Sequence, residues 1–150
     1  MKLLEEKNIS LNQTFKTPQE AIKYAGEKMK SLGLIKEEYI ESMLVRQDKL
    51  SVYIGNFVAL PHGEVQDEFI LEEGIFVTQV PDGIDFSNTE QKQIATIIIS
   101  VALRKESQLR ILQELAFFCS DIENVRKLSD EVDEKQFVTF FNESISFLIA

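Results

Sequence analysis

One side chain in this sequence has the chemistry of a nucleophile poised near neutral pH: His62, the single histidine among 150 residues. A neutral imidazole carries one donor and one acceptor nitrogen, and its unperturbed pKa of about 6.5 lies inside the physiological range. His62 ends the apolar run Phe57-Val58-Ala59-Leu60-Pro61 and is followed by Gly63. Pro61 fixes its own backbone and disfavours helix at Leu60, while Gly63 permits a sharp exit and the close approach of a large group. The stretch reads as a strand that delivers one imidazole to a rigid, open corner. Against this stands the commoner fate of a lone histidine beside an apolar run, a satisfied structural residue. Cys119 lies among Ala116, Phe117 and Phe118 and reads as a buried, unreactive thiol. One cysteine and one histidine make neither an internal disulfide nor a zinc-ligand set, so no metal or other cofactor is expected, and a reducing cytoplasm is.

The elements that must position His62 can be read from periodicity. Ile9 to Leu11 suits a short strand. Thr17-Pro18-Gln19-Glu20 combines an N-cap, a proline in the first turn and a capping-box glutamate, so a helix starts there. Ile22, Ala25, Met29 and Leu32 form its apolar face, and Gly33 suits a left-handed end. A second helix, 36–46, places Tyr39, Ile40, Met43 and Leu44 on one face and brings Arg46 near its C-terminal end. Val52–Ile54 and Phe57–Leu60 then read as strands turned by Gly55-Asn56. Gly74 to Val80 alternates as a strand, with Pro81-Asp82-Gly83 as a turn before Ile84 and Phe86. Ile94 to Leu103 is apolar on both faces, which marks the middle of a sheet covered on both sides. Glu106 to Phe118 follows as a helix with Leu109, Leu112, Leu115 and Ala116 inward. Asp121 caps a short helix through Val125 and Leu128, and a last helix, 134–148, carries Phe137, Phe140, Phe141, Ile145 and Leu148. The fold class is α/β, a single domain over 1–150 in which a mixed sheet lies between helices on both faces as a three-layer sandwich.

Composition agrees with that class. Hydrophobic residues make up 44% and charged residues 27%, with six glycines and three prolines, the profile of a chain that buries one core. Twenty-five acidic residues against 16 basic give a net charge of −9, which argues against general affinity for nucleic acid or anionic membranes. The surplus at Glu72-Glu73 and Glu131 to Glu134 reads as solvated surface. Met1-Lys2-Leu3-Leu4 runs straight into Glu5-Glu6-Lys7, unlike a signal peptide, and the longest apolar stretch is too short to span a bilayer as a helix. A soluble cytoplasmic domain without membrane insertion is expected. Phe140, Phe141 and Phe147 read as core, and the apolar ending through Ala150 could pack on another chain.

From Gln47 through Ile54-Gly55-Asn56-Phe57 to Val58-Ala59-Leu60-Pro61-His62-Gly63, the chain resembles the phosphohistidine signature of mannitol/fructose-type enzyme IIA domains of the bacterial sugar phosphotransferase system. The likeness, closest to mannitol IIA, extends to residues 21–27, 39–46 and 80–86, and so covers nearly the whole chain. It implies the same helix-flanked mixed sheet, with His62 taking a phosphoryl group from the phosphocarrier HPr and passing it to a cysteine of a IIB domain of a membrane sugar permease. It matches Arg46 to the family's active-site arginine, whose guanidinium fork suits phosphoryl oxygens; otherwise Arg46 is a solvated arginine favourable to the dipole of its helix end. The family's second active-site histidine aligns with Gln108. Glutamine can hydrogen-bond a phosphoryl oxygen but cannot become cationic, and the charge could fall to Arg104 or Arg110; the alternative is an exposed helix residue. Two other functions share the motif: a regulatory nitrogen-type IIA module whose phosphorylation state controls a partner, and a degenerate domain that binds HPr without accepting phosphate.

Overall fold

In the computed structural model, which describes residues 1–64 and 67–145, ten regular elements build one layered domain. They are β1 (Ile9–Ser10), α1 (Pro18–Ser31), α2 (Glu37–Lys49), β2 (Tyr53–Gly55), β3 (Val58–Ala59), β4 (Gly74–Asp85), β5 (Ile94–Ala102), α3 (Lys105–Cys119), α4 (Ile122–Asp130) and α5 (Glu134–Ile145). The sheet order is β1-β4-β5-β3-β2. The long β4–β5 pair is antiparallel, β1 and β3 join it in parallel, and β2 closes back on β3 as an antiparallel hairpin. The sheet is therefore mixed, and β5 is its central strand.

Alternation along β4 and β5 divides the core in two. Ile75, Val77, Ile97, Ile99 and Val101 face α3, α4 and α5, where Leu115, Val125, Leu128, Phe137 and Phe141 meet them. Phe76, Val80, Ile84, Ile98 and Ala102 face α1 and α2, where Ile22, Met29, Tyr39, Ile40 and Met43 pack. Helices thus cover both faces of the sheet, as the doubly apolar Ile94–Leu103 run requires.

Local signals hold with small shifts. Thr17 Oγ1 accepts from Glu20 N at 3.1 Å, the expected N-cap, but the Glu20 carboxylate reaches back to Lys16 N instead of Thr17 N. Asp121 caps α4 through Glu123 N. The helix expected over 36–46 runs on to Lys49. The β2–β3 turn is centred one residue later than expected, on Asn56-Phe57, both at positive φ as a two-residue hairpin turn demands. Asn56 Nδ2 donates to the carbonyls of Cys119 and Ser120, and Phe57 N donates to the Tyr53 hydroxyl, so side chains hold a conformation that Phe57 alone would resist.

Three expectations are corrected. Pro81-Asp82-Gly83 does not end a strand: β4 runs through it, and the register to β5 slips between Gln79 and Ile84. Gly83 at φ +79° supplies the kink, so the turn residues make a bulge inside one long strand. The inward face of α3 is also rotated. Ile111, Leu115, Phe118 and Cys119 are buried, whereas Leu109 is 70% exposed and Leu112 and Ala116 are half-buried. Glu73 is not merely solvated, because its carboxylate accepts from Arg104 N and Ser107 Oγ at the start of α3. Phe137, Phe141 and Ile145 are core, and Phe140 is half-buried; Phe147, Leu148 and Ala150 lie outside the described residues.

The α3 correction separates two leucines. Leu115→Ala should cost about 2–5 kcal/mol in chemical denaturation, while Leu109→Ala should stay within about 0.5 kcal/mol. Equal losses would show that the helix presents the other face.

Candidate functional site

The β2–β3 hairpin delivers His62. β3 is short and wholly buried, pairing Val58 and Ala59 with Ile97 and Ile98 of β5, so the chain leaves the sheet beside the end of the central strand. Leu60 and Pro61 are buried, His62 is half-buried, and Glu64 is exposed: the imidazole stands at the rim of the core. Its Nδ1 lies 2.7 Å from the Leu60 carbonyl oxygen. A carbonyl only accepts, so Nδ1 carries the proton and Nε2 is left with its lone pair.

The backbone on both sides of this ring is tied. Val101 N donates to Pro61 O at 2.9 Å. Gly63 N donates to the Tyr39 hydroxyl at 2.9 Å, and that hydroxyl donates to Val101 O at 2.8 Å. Glu64 N donates to Ser42 Oγ at 2.9 Å.

Arg46 comes from α2, about two and a half turns along from its start. It is half-buried and its guanidinium donates to Leu50 O, at the end of its own helix. Gln47, fully buried, anchors that end: its side chain donates to Phe86 O and accepts from Val52 N, while Asn88 Nδ2 donates to Gln47 O. The two ends of the Gln47–Gly63 signature are thereby fixed to the same frame. Lys49 and Glu64 form an exposed ion pair beside it.

Three influences set the His62 charge. Burial, the largest, penalises the imidazolium and holds the pKa below 6.5; the Leu60 carbonyl opposes this by favouring a protonated ring, and the Arg46 charge lowers the pKa further. Lys49, and more weakly Arg46, keeps the Glu64 carboxyl below its ordinary range. Burial pushes the Tyr39 hydroxyl up to about 12 and the Cys119 thiol up to about 12, so the first remains a neutral donor and the second an inert core group.

The structure thus brings Arg46 into electrostatic range of His62. Gln108 sits half-buried in the first turn of α3, its backbone N–H on Arg104 O, and among the described residues no hydrogen bond joins it to His62 or Arg46. Arg104 is committed elsewhere, its guanidinium donating to Ile70 O and Leu71 O, and Arg110 is exposed. The sequence puts Tyr39 on an apolar face and both Tyr39 and Ser42 inside the 39–46 resemblance, with no sign that either bonds to the loop after His62. Tyrosine on a buried stripe is the available signal, because its hydroxyl needs a partner.

What the corner can do is nucleophilic chemistry at Nε2, with a neutral ring at working pH and a fixed cation nearby. The profile of the family described as "Phosphoenolpyruvate-dependent sugar phosphotransferase system, EIIA 2" matches residues 2–144. The mannitol-specific phosphotransferase enzyme IIA component of Enterococcus faecalis is 41% identical over 137 residues, covering 91% of this chain and 94% of that protein. The crystal structure of IIA mannitol from Escherichia coli superposes with a TM-score of 0.81 at 28% identity, over 98% of this chain and 99% of that one. An Escherichia coli complex of enzyme IIA mannitol with phosphorylated enzyme IIB mannitol gives 0.85 at 28% identity, over 96% and 97%.

The buried ring predicts its own titration. The carbon-bound ring protons of His62 should shift in an NMR titration with a midpoint below 6.5, and ring nitrogen shifts should report the Nδ1–H form above it. Because the folded pKa is depressed, His62 contributes stability that is complete above the unfolded value near 6.5 and is lost as pH falls toward the folded midpoint. A midpoint above 6.5 would contradict the geometry.

Proposed function

The chain belongs to the EIIA 2 family of the phosphoenolpyruvate-dependent sugar phosphotransferase system, and from that premise we propose that it is a mannitol phosphocarrier whose His62 takes a phosphoryl group from HPr and passes it to a IIB cysteine. The observation that carries this reading is the 2.7 Å contact between His62 Nδ1 and Leu60 O. With Nδ1–H held by Leu60 O, Nε2 presents a lone pair on a ring kept neutral by burial.

In the first half-reaction the Nε2 lone pair attacks phosphorus in line, the N–P bond to the HPr histidine breaks, and the HPr imidazole leaves with its electron pair. The new Nε2–P bond needs no proton moved on His62, because the proton already sits on Nδ1. In the second, a IIB thiolate attacks the same phosphorus and His62 departs as the neutral imidazole it began as. Arg46 supplies the fixed positive charge for the phosphoryl oxygens, preorganised by its bond to Leu50 O. Gln108 offers a neutral amide donor from α3 in place of a second histidine. No cofactor is called for.

Support for the partners comes from the relatives: a mannitol-specific IIA component matches almost end to end, and a IIA of the same shape forms a complex with phosphorylated IIB. The regulatory alternative is not favoured, since no feature of the described residues singles it out. Among the described residues no helix is long and apolar enough to cross a membrane. The reading places the carrier in the cytoplasm, where phosphoenolpyruvate feeds HPr, and the membrane step belongs to the permease.

Incubation with phosphoenolpyruvate, enzyme I and HPr should give an acid-labile phosphoprotein, and His62→Ala should carry no label. Arg46→Ala should slow transfer roughly 10- to 100-fold with the fold retained by circular dichroism. Gln108→Ala should slow it a few-fold and Gln108→His should not; an unchanged Gln108→Ala rate would take that residue out of the site. An unlabelled wild type would end the proposal.

A further inference from the structure

Two side chains of α2 hold the same short piece of backbone, and a third on the same stripe carries the charge that bears on His62. Tyr39, Ser42 and Arg46 are spaced i, i+3 and i+7, which places them within one narrow stripe of a helix. The first two take the backbone N–H groups of Gly63 and Glu64, the residues directly after the histidine. The fit is tight: a Cβ built on Gly63 would lie 2.6 Å from Tyr39 Cε1 and 2.7 Å from Ser42 Oγ. Glycine is required here because two side chains occupy the space a third would need.

Tyr39 does more than cap a loop. Its hydroxyl accepts from Gly63 N and donates to Val101 O, while Val101 N donates to Pro61 O. The residue before His62 and the residue after it are therefore bound to one residue of the central strand, directly on one side and through Tyr39 on the other. The circuit runs Pro61, Val101, Tyr39, Gly63, and His62 bridges its ends. The same phenol joins the arginine-bearing helix to the strand that leads into α3.

We propose that Tyr39 is a positioning residue for the His62 imidazole: by closing this circuit it holds the 61–63 backbone in the one conformation that lets Nδ1 reach Leu60 O and turns Nε2 outward toward the Arg46 side. Ser42 assists through Glu64. Tyr39 itself touches no transferred group. The inference deepens the phosphocarrier reading and rests on it for its rate effect, though its spectroscopic effect stands apart from transfer. Because burial keeps the hydroxyl protonated up to about 12, the circuit is intact across the working pH range.

The test is Tyr39→Phe in the full chain, which keeps the ring and removes only the hydroxyl. Histidine labelled with 15N reports the tautomer by long-range proton–nitrogen correlation, and single-turnover transfer from phospho-HPr reports function. Wild type should show the Nδ1–H form alone. Tyr39→Phe should populate both tautomers and transfer about tenfold more slowly at saturating HPr, with the half-saturating HPr concentration unchanged. A melting temperature that falls while tautomer and rate stay at wild type would overturn the proposal, because that is what a purely structural hydroxyl does. Should Tyr39→Phe fail to fold, Ser42→Ala releases the exposed Glu64 N–H and should show the same changes at about threefold; a wild-type tautomer and rate there would also overturn it. If the wild type accepts no phosphate yet Tyr39→Phe mixes the tautomers, the carrier reading fails and the positioning role stands.

Discussion

The residues flanking His62 are tied to one strand residue, and the site depends on how stiff that residue is. Val101 sits near the end of β5, which has neighbours on both edges and helices over both faces. A strand covered on all sides moves little, so whatever hydrogen-bonds to its ladder inherits its rigidity. Pro61 O takes one Val101 group and Tyr39 carries the other to Gly63. Leaving either buried partner unsatisfied costs about 1–3 kcal/mol, which is a large share of a domain's net stability. The imidazole keeps only its own torsions, and the Leu60 carbonyl fixes those.

Charge at this corner runs against the charge of the whole. The protein carries −9, yet the group whose charge bears on His62 is the Arg46 guanidinium. A cation and burial act in the same direction on the ring, both disfavouring the imidazolium, so the Nε2 lone pair is not lost to protonation. The Lys49–Glu64 pair nearby is exposed on both sides and contributes little to stability. Its carboxylate lies two residues beyond His62 and draws one surface lysine, leaving Arg46 to its bond with Leu50 O.

How far the sequence revealed this depends on the range of each interaction. The central strand, the hairpin, the caps at Thr17 and Asp121 and the corner at Pro61-His62-Gly63 follow from contacts between near neighbours, and these were legible. The Pro81-Asp82-Gly83 stretch reads as a turn because turn residues describe local φ and ψ; that β5 lies alongside and converts the turn into a bulge is a long-range fact. The inward face of α3 failed for a related reason. Leu109 and Phe117 are apolar but exposed, and composition alone cannot tell a helix which face the sheet will cover. Tyr39 was legible as buried but not as bonded to Gly63, because residues 24 positions apart carry no local sign of meeting. Arg46 and Gln108 were named through resemblance, and periodicity alone would have left both as helix residues.

The start of α3, where Gln108 lies, carries its own charge balance. A helix start can itself offer positive charge to an anion through its unpaired N–H groups. At the start of α3 two N–H groups are engaged by carboxylates: Arg104 N is held by Glu73 and Lys105 N by Asp67. Ser107 Oγ also turns to Glu73, and the Arg104 guanidinium is spent on Ile70 O and Leu71 O. Carboxylates of its own neighbours thus offset part of the positive end of this helix. The one fixed charge that bears on the His62 ring is then Arg46. The anchoring of Arg46 by the buried Gln47 network, and of the ring by Tyr39, becomes correspondingly more important, because a site with one cation has no second one to compensate for a displaced first.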